Sequence, residues 1–283
     1  MTDQPVRRGR RAHRGRVVRT ERLTPHMIRV TLGGDGLADF HMGDYTDHYV
    51  KLQFGPAGVV YPEPYDVEVI RETLPREQWP SNRTYTVRAW DPEARELTID
   101  FVYHGDEGLA GPWAANAQAG DDIYFMGPGG GYAPSQDAAW HLLVGDESAL
   151  PAIAAALEHI PAEVPAYVFV EIEGPAEEQV LETSAKAEIT WLHRGSSPVG
   201  EKLLRAVRDL EFPSSDVHAF VHGEAGFVKD LRRHLRVDRG IPLDRLSISG
   251  YWRLGVDDEG WRAVKRDWNR QVEEEEARAT GAA

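Results

Sequence analysis

The sequence carries, at residues 83–88, the stretch Arg83-Thr84-Tyr85-Thr86-Val87-Arg88, which decides how its N-terminal half is interpreted. Polar and apolar side chains alternate through it, as in a β-strand with one buried face. Successive side chains of a strand point to opposite faces, so Arg83 and Tyr85 share one face. A guanidinium suits a pyrophosphate, an aromatic ring can lie against a planar ring system, and the Thr86 hydroxyl can donate a hydrogen bond. An ordinary amphipathic strand with exposed arginines is the alternative.

The surrounding sequence, from Gly15 to about Met126, consists of short apolar or alternating runs separated by turn residues. The runs are VVRTERL (17–23), HMIRVTL (26–32), HYVKLQF (48–54), RTYTVRAW (83–90), ELTIDFVYH (96–104) and DDIYFMG (121–127). Turn signals such as Gly33-Gly34-Asp35-Gly36 and Asp91-Pro92 fall between them. This pattern predicts an antiparallel β-barrel.

A Gly/Pro-rich stretch near residues 127–137 marks a domain boundary, because apolar strands alternate with helical segments beyond it. The predicted strands are HLLVG (141–145), AYVFVEI (166–172), EITWLHR (188–194), HAFVHGE (218–224) and LSISGYW (246–252). The predicted helices are ALPAIAAALEHI (149–160), EEQVLETS (177–184), GEKLLRAVRDL (200–210) and FVKDLRRHLRVDRG (227–240). Such alternation predicts a mainly parallel sheet. The predicted fold class is therefore an N-terminal antiparallel β-barrel followed by a C-terminal α/β domain.

The composition limits what the chain can do. With 283 residues, of which 41% are hydrophobic, it is long enough for two domains. The absence of cysteine excludes disulfides, thiolate catalysis and Cys-ligated iron–sulfur clusters, so redox chemistry would require a bound organic cofactor. We find neither an apolar stretch long enough to span a membrane nor a secretion signal, and therefore expect a cytoplasmic protein without a membrane partner.

Charge is unevenly distributed along the chain. The formal net charge is −14, which disfavours nucleic-acid binding, yet seven arginines lie in the first 19 residues: Arg7, Arg8, Arg10, Arg11, Arg14, Arg16 and Arg19. This arm could touch a nucleic acid or an acidic partner, but a solvated tail is the simpler interpretation. We predict a basic flexible tail at 1–14, a barrel domain at 15–132, an α/β domain at 133–270 and an acidic tail at 271–283.

A second motif, DFVYHGDEGLAGPWA, covers residues 100–114. It predicts a strand, a glycine-containing turn and a helix over 113–118, whose N–H groups and dipole would favour an anion. Together with residues 83–88 and GYWRLG at 250–255, it resembles the siderophore-interacting protein family of the ferredoxin-reductase superfamily, over nearly the whole chain from about residue 14 to 268. The resemblance implies FAD, bound through the barrel. It also implies that the α/β domain is of the nicotinamide-nucleotide type and binds the electron donor, NADPH or NADH.

The resemblance also implies a set of FAD contacts within the two barrel motifs. They are Arg83, Tyr85, Thr86, Val87, Arg88, Asp100, Phe101, Val102, His104, Gly108, Leu109, Ala110, Gly111 and Trp113. Leu109 and Gly111 depart from the commonest family pattern, which has a proline and a hydroxyl residue at those places. We assign His104 to flavin binding, since hydride transfer at a flavin requires no protein base, and we predict no catalytic side chain.

In the α/β half, the first strand-to-helix turn contains Asp146-Glu147-Ser148, and the chain has no GxGxxG motif. The resemblance implies that this turn and neighbouring strand ends receive the nicotinamide nucleotide. The implied contacts are Asp146, Glu147, Ser148, Arg194, Gly223 and Glu224. Arg194 is the candidate for the 2′-phosphate of NADPH. The carboxylates of Asp146 and Glu147 would repel a pyrophosphate unless they cap the helix or face ribose hydroxyls.

The activity that the resemblance implies is reduction of a ferric siderophore. Such an anionic chelate binds Fe(III) tightly through hard oxygen donors and binds Fe(II) much more weakly. Lys51 and Arg253 match basic positions of the family, and Lys265 adds a third cation toward the substrate. The segment 129–131 is Gly-Gly-Gly, whereas some members carry an arginine there.

Two other functions stay open: a general flavin or ferric reductase with another acceptor, and a siderophore-binding protein with weak redox activity. The scattered histidines and acids match no familiar ligand spacing, so we predict no structural metal. We expect a monomer.

Overall fold

A computed structural model describes residues 12–280 of the chain. They form two compact units. The first contains the described residues up to Gly43 together with His48–Gly130, and the second contains Asp44–Asp47 and the described residues from Gly131 onward. Within residues 12–280, no helix is both long and apolar enough to cross a membrane. Most of the predicted basic tail, including Arg7, Arg8, Arg10 and Arg11, lies outside the described residues.

The first unit is built around one antiparallel sheet of seven strands. The strands are β1 (His13–Thr24), β2 (Met27–Gly33), β3 (Tyr49–Phe54), β4 (Ser81–Thr86), β5 (Ala89–Asp91), β6 (Glu96–Val102) and β7 (Asp122–Gly129). Their order across the sheet is β4-β3-β7-β1-β2-β6-β5. Two short helices, α1 (Val67–Thr73) and α2 (Ala110–Asn116), lie in the connections. Because β1 begins at His13, it includes the last two residues of the predicted tail.

Residues 81–91 join the two edges of this sheet. β4 pairs with β3, and the chain then continues into β5, which pairs with β6. Between these strands, the N–H of Val87 donates to the His48 carbonyl at 2.7 Å and the N–H of Arg88 donates to the Thr98 carbonyl at 2.8 Å. One continuous segment therefore pairs at both edges, which closes the sheet in the manner of a barrel.

The second unit contains a parallel sheet of five strands, with helices in its connections. The strands are β8 (Trp140–Asp146), β9 (Pro165–Ile172), β10 (Lys186–His193), β11 (Val217–Glu224) and β12 (Leu246–Trp252), in the order β10-β9-β8-β11-β12. The helices are α3 (Leu150–Leu157), α4 (Glu201–Asp209), α5 (Ala225–Arg233) and α6 (Asp258–Thr280). The strand order reverses at β8, and ligands of open α/β sheets collect at the carboxyl ends beside such a point.

Each unit has its own hydrophobic core. Side chains such as Leu52 and Phe125 fill the first unit and have no exposed surface. In the second unit, buried residues of β8 and β11 pack with buried residues of α4 and α5. Trp261 of α6 is 2% exposed, and its ring centroid lies 5.4 Å from that of the half-buried Trp268. The two tryptophans of α6 therefore pack against each other at the buried side of the helix.

The predicted helix over residues 177–184 is wrong. A single 3-10 turn at Pro175–Glu177 is followed by irregular chain up to β10. Val180 and Leu181 are the only large apolar side chains that the segment offers, and Val180 is 88% exposed. A helix without an apolar face gains no packing energy on the sheet, so this connection stays irregular.

The predicted acidic tail is helical as far as residue 280, because α6 continues through it. Glu276 accepts hydrogen bonds from Arg232 and Arg236, both at 2.6 Å, and Lys229 pairs with Glu275 at 2.8 Å. Carboxylates that find basic partners on a neighbouring helix order the chain that carries them. Residues 271–280 therefore extend α6, and the side chains of Glu273, Glu274 and Glu275 are exposed on it.

Candidate functional site

The first predicted motif lies on β4 and the residues that follow it. The strand register places Arg83 opposite Leu52 and Tyr85 opposite Val50, so both side chains share a face with core residues. Arg83, Tyr85 and Arg88 are nevertheless half-exposed. This part of the barrel thus presents two cations and one aromatic ring at the edge of its core.

An array of aromatic rings backs Tyr85. The Tyr85 ring centroid lies 4.5 Å from that of Phe101, which in turn lies 5.6 Å from Trp113. The ring of Phe54, at the end of β3, lies 6.0 Å from Trp113. Phe101 is fully buried, whereas Tyr85 and Trp113 keep exposed surface. The array fixes the Tyr85 ring while leaving part of it accessible to a planar ligand.

An open turn connects β6 to α2. Gly105 and Gly108 have φ angles of +72° and +78°, and a Cβ atom on either residue would meet nothing within 4 Å. Helix α2 begins at Ala110 and not at residue 113 as predicted, and no side chain caps its N-terminus. A Cβ atom on Gly111 would lie 3.0 Å from the Val102 carbonyl oxygen, so glycine lets the helix start close to β6.

Several predicted FAD contacts are buried in the core of the first unit. Val87, Phe101 and Ala110 are at most 3% exposed, because they belong to the core of the unit. The Asp100 carboxylate is 5% exposed and accepts hydrogen bonds from Arg29 at 2.7 and 2.8 Å. These side chains are covered by residues of the unit itself, and Thr86 and Gly111 are also buried. The predicted contacts that remain accessible are Arg83, Tyr85, Arg88, Val102, His104, Gly108, Leu109 and Trp113.

Asp146, at the carboxyl end of β8, is fully buried and has a structural role. Its carboxylate accepts hydrogen bonds from the N–H and hydroxyl of Ser148 at 2.9 and 2.5 Å, from the N–H of Glu224 at 2.8 Å and from the Trp252 indole at 2.8 Å. Burial raises the pKa of Asp146 to about 6, although these hydrogen bonds act in the opposite direction. The carboxylate has no exposed surface in this structure, which does not support its predicted contact with a nucleotide.

Glu224 and Gly223, at the end of β11, are committed to the same structure. The Glu224 carboxylate caps α5 by accepting the N–H groups of Gly226 and Phe227 at 2.5 and 3.3 Å, and it accepts the N–H of Leu254 at 3.2 Å. A Cβ atom on Gly223 would lie 2.6 Å from the Asp146 carboxylate oxygen. Both residues hold the strand ends together and do not offer groups to a ligand.

Arg194 follows β10 and forms an ion pair with Glu147. The guanidinium donates to the two carboxylate oxygens at 2.9 and 3.3 Å and lies 3.6 Å from Glu171. Sequence analysis missed Glu171, a fully buried carboxylate that accepts the N–H of Gly200 at 2.9 Å. A lone charge inside the apolar run AYVFVEI is the signal that could have found it. Burial raises the pKa of Glu171.

The three predicted substrate cations are divided between the units. Lys51 is exposed on β3, opposite Thr84 of β4. Arg253 is exposed after β12, and Lys265 is half-buried on α6. Burial lowers the pKa of Lys265, although the charge of Asp258 opposes this effect.

A row of aromatic side chains, most of them with a polar atom, lies on one face of β11 and its neighbours. The ring of Tyr132 lies 4.9 Å from His218 and 5.0 Å from Phe220, which stacks on His222 at 3.9 Å. Both ring nitrogens of the buried His141 lack a hydrogen-bond partner among residues 12–280. Burial lowers the pKa of His141 to about 4 and that of His222 to about 3. In the described part of the chain, no group of three or more His, Asp or Glu side chains could hold a metal ion.

Comparison with known families accounts for both units. The siderophore-interacting FAD-binding domain matches residues 16–132, and the siderophore-interacting protein domain matches residues 138–255. The chain belongs to the siderophore-interacting protein family. The family resemblance of the sequence motifs is thereby confirmed.

Two named reductases can be aligned with most of the chain. The ferric vibriobactin reductase ViuB of Vibrio cholerae is 33% identical over 250 residues, which cover 86% of this chain and 90% of that protein. The NADPH-dependent ferric-chelate reductase of Escherichia coli is 29% identical over 259 residues, which cover 88% of this chain and 96% of that protein. Both names describe reduction of iron chelates, and the chain is similar to them over both of its units.

Solved structures support the same family and its fold. The siderophore-interacting protein SipS from Aeromonas hydrophila is 29% identical, with a TM-score of 0.78 over 92% of this chain and 99% of that one. A ferredoxin reductase of carbazole 1,9a-dioxygenase is 15% identical and has a TM-score of 0.61 over 84% of this chain and 68% of that one, a likeness of fold alone. The predicted fold class, an antiparallel FAD-binding domain followed by a parallel α/β domain, is confirmed.

Proposed function

We propose that the protein is an FAD-dependent reductase that takes electrons from NADH or NADPH and reduces the Fe(III) of ferric siderophores to Fe(II) in the cytoplasm. The observation that carries the proposal is the half-exposed motif of the first unit. Arg83, Tyr85 and Arg88 keep exposed surface, and the Tyr85 ring packs on Phe101 of β6. The turn that follows β6 is open at Gly105 and Gly108. The names of the related reductases support the same class of reaction.

The residues of this face suit FAD. Arg83 and Arg88 supply the cations that a diphosphate needs, and guanidinium groups bind it in a bidentate manner. The exposed part of the Tyr85 ring, backed by Phe101, suits the planar ring system. The glycines of the turn let a ligand approach the backbone without meeting a side chain. When bound, FAD would accept a two-electron hydride and pass the electrons on one at a time. The chain has no cysteine to hold an iron–sulfur cluster, so its side chains alone cannot do this.

The acceptor follows from the chemistry of iron and from the exposed cations. Hard oxygen chelators hold Fe(III) far more tightly than Fe(II), so one electron per iron weakens the chelate and leaves the ligand intact. One nucleotide donates two electrons and therefore reduces two Fe(III) ions. Lys51 and Arg253 are exposed and offer positive charge to an anionic chelate, and Lys265 adds a partly buried ammonium.

The test starts with the absorbance spectrum of the purified protein, in which oxidised flavin bands are expected. Anaerobic addition of NADH or NADPH should bleach these bands, and a ferric siderophore should then restore them while Fe(II) appears in a ferrozine assay. A colourless protein that cannot take up added FAD would overturn the proposal. Equal turnover of ferric siderophores, ferric citrate and free flavin would instead support a general reductase.

A second candidate function is a siderophore-binding protein with weak redox activity. The observation that favours it is the carboxyl edge of the parallel sheet, where Asp146 is buried and Arg194 is held by Glu147. Both side chains are thus engaged within the protein and do not hold a nucleotide phosphate in this arrangement. This second function is the better description if the protein is yellow and a ferric siderophore quenches its fluorescence, but neither nucleotide bleaches its flavin bands.

A further inference from the structure

The ion pair between Arg194 and Glu147 bears on which nicotinamide nucleotide the protein prefers. The guanidinium is 17% exposed and the carboxylate 10% exposed, and two hydrogen bonds join them. Charges that are largely removed from water are screened little by salt and are expensive to separate. The Arg194 guanidinium is therefore committed to Glu147 unless a ligand displaces that carboxylate.

The loop after Arg194 otherwise has the groups that bind a phosphate. Gly195 and Ser196 are exposed, and a Cβ atom on Gly195, whose φ is +55°, would meet nothing within 4 Å. The N–H of Ser197 donates to the Arg194 carbonyl at 3.1 Å, which closes a turn. A guanidinium, serine hydroxyls and an open glycine suit a phosphate that arrives from solvent. The loop also follows a strand at the carboxyl edge of the sheet, where ligands of such sheets lie.

We propose that Glu147 determines nucleotide preference: by holding Arg194, it disfavours the 2′-phosphate of NADPH, so that NADH serves at least equally well. This inference rests on the proposed function, in which a nicotinamide nucleotide is the electron donor. A 2′-phosphate has to compete with Glu147 for the guanidinium and lies near a second carboxylate, Glu171, at 3.6 Å from Arg194. NADH lacks this phosphate and meets no such competition.

The exchange Glu147→Gln tests the inference, because glutamine keeps the size of the side chain and removes its charge. The probes are adenosine 2′,5′-bisphosphate and 5′-AMP, which differ only in the 2′-phosphate and are redox-inert. By isothermal titration calorimetry, we expect the dissociation constant for the bisphosphate to fall about tenfold in the variant. The reason is that the Arg194 guanidinium, no longer held by a carboxylate, can donate charge-assisted hydrogen bonds to the 2′-phosphate. The value for 5′-AMP should change by less than about twofold. A double variant, Glu147→Gln with Arg194→Met, should lose the gain.

Glu178→Gln is the matched control. Glu178 pairs with His193, the neighbour of Arg194, at 2.7 Å, and both side chains of that pair are exposed. The exchange removes the same charge from the same end of the sheet without touching the guanidinium. It should leave both dissociation constants within about twofold of the unsubstituted protein, since exposed pairs contribute little. Thermal unfolding of each variant verifies that the fold is kept.

The outcomes separate this inference from the proposed function. Equal gains for both probes, or no gain for the bisphosphate in a folded Glu147→Gln protein, would overturn the role of Glu147. If NADH bleaches the flavin of the unsubstituted protein but the NADPH-to-NADH rate ratio does not rise in Glu147→Gln, the inference fails and the donor stands. If neither nucleotide bleaches the flavin and neither probe binds, the donor fails and the inference fails with it.

Discussion

The face around β4 and the carboxyl edge of the parallel sheet both carry charged residues singled out from the sequence, yet the two regions use them in opposite ways. Around β4, Arg83 and Arg88 keep exposed surface. At the sheet edge, Asp146 and Glu224 point inward and accept backbone N–H groups. Charged residues at a motif thus either serve a ligand or hold the fold together, and their hydrogen bonds distinguish the two. The comparison predicts that changes at Asp146 or Glu224 reduce stability, whereas changes around β4 reduce cofactor retention.

The largest effect should come from Asp146→Ala. Four hydrogen bonds end on this buried carboxylate, so its loss leaves donors without acceptors and should lower the free energy of unfolding by about 3–5 kcal/mol at pH 7.5. Because the folded pKa of about 6 is above the ordinary value of 3.8, the contribution of Asp146 is greatest below pH 3.8 and declines as pH rises through 6. The cost should therefore be larger at pH 5 than at pH 7.5.

Urea denaturation of the variant measures this cost, with Asp230→Ala as the control. Asp230 is an exposed aspartate of α5, and its replacement should change stability by no more than about 0.5 kcal/mol. If Asp146→Ala proved as stable as the control, the sheet edge would not be an internal network, and the contrast between the two regions would disappear.

Arg83→Ala should have the opposite profile. Loss of one charge-assisted contact to a diphosphate corresponds to about 1.5–3 kcal/mol, so the dissociation constant for FAD should rise about 10- to 100-fold. The FAD-free protein should keep its unfolding midpoint, because Arg83 is half-exposed. Flavin fluorescence during titration of FAD-free protein measures the affinity, and Arg76→Ala, at an exposed arginine of the same unit, is the control. Unchanged FAD affinity in Arg83→Ala would remove the first region as the cofactor site.

The two regions also differ in how far sequence analysis could describe them. Strand periodicity was sufficient for β4 and β6, because alternation of side chains assigns Arg83 and Tyr85 to one face. It could not separate accessible from buried members of the motif: Val87 and Phe101 are core residues, and Arg29, distant in sequence, takes the carboxylate of Asp100. Such partners come from strand pairing, which local patterns do not specify.

At the sheet edge, the missing information was again the partner. The residues Asp146 and Glu147 suggested a cap or a ribose contact, and only the packing of β11 and β12 shows that the N–H of Glu224 and the Trp252 indole occupy the Asp146 carboxylate. The helix predicted over 177–184 fails for a different reason: its residues favour a helix locally, but the segment has no apolar face to pack on the sheet. Local composition predicted the elements well and the long-range contacts poorly.

A smaller, pH-dependent effect should arise from His141 in the second unit. Its folded pKa of about 4 is below the ordinary 6.5, so the unfolded chain binds the proton first as pH falls. The stability that neutral His141 provides is present above pH 6.5 and is lost as pH falls toward 4. Between pH 7 and pH 5 this loss should be about 2 kcal/mol. His141→Leu should remove that part of the acid sensitivity in urea denaturation, whereas an identical pH profile would show that other groups cause it.

The smallest effect belongs to Lys51→Ala, which tests the exposed region directly. Lys51 is an exposed cation on β3, so its loss should not alter folding or FAD content. If it attracts an anionic chelate, KM for a ferric siderophore should rise about threefold with kcat unchanged, and the rise should shrink in 0.5 M salt as exposed charges are screened. A neutral ferric chelate provides the internal control, because its KM should not move. Equal increases for anionic and neutral chelates would mean that Lys51 acts on packing around β3 and not on substrate charge.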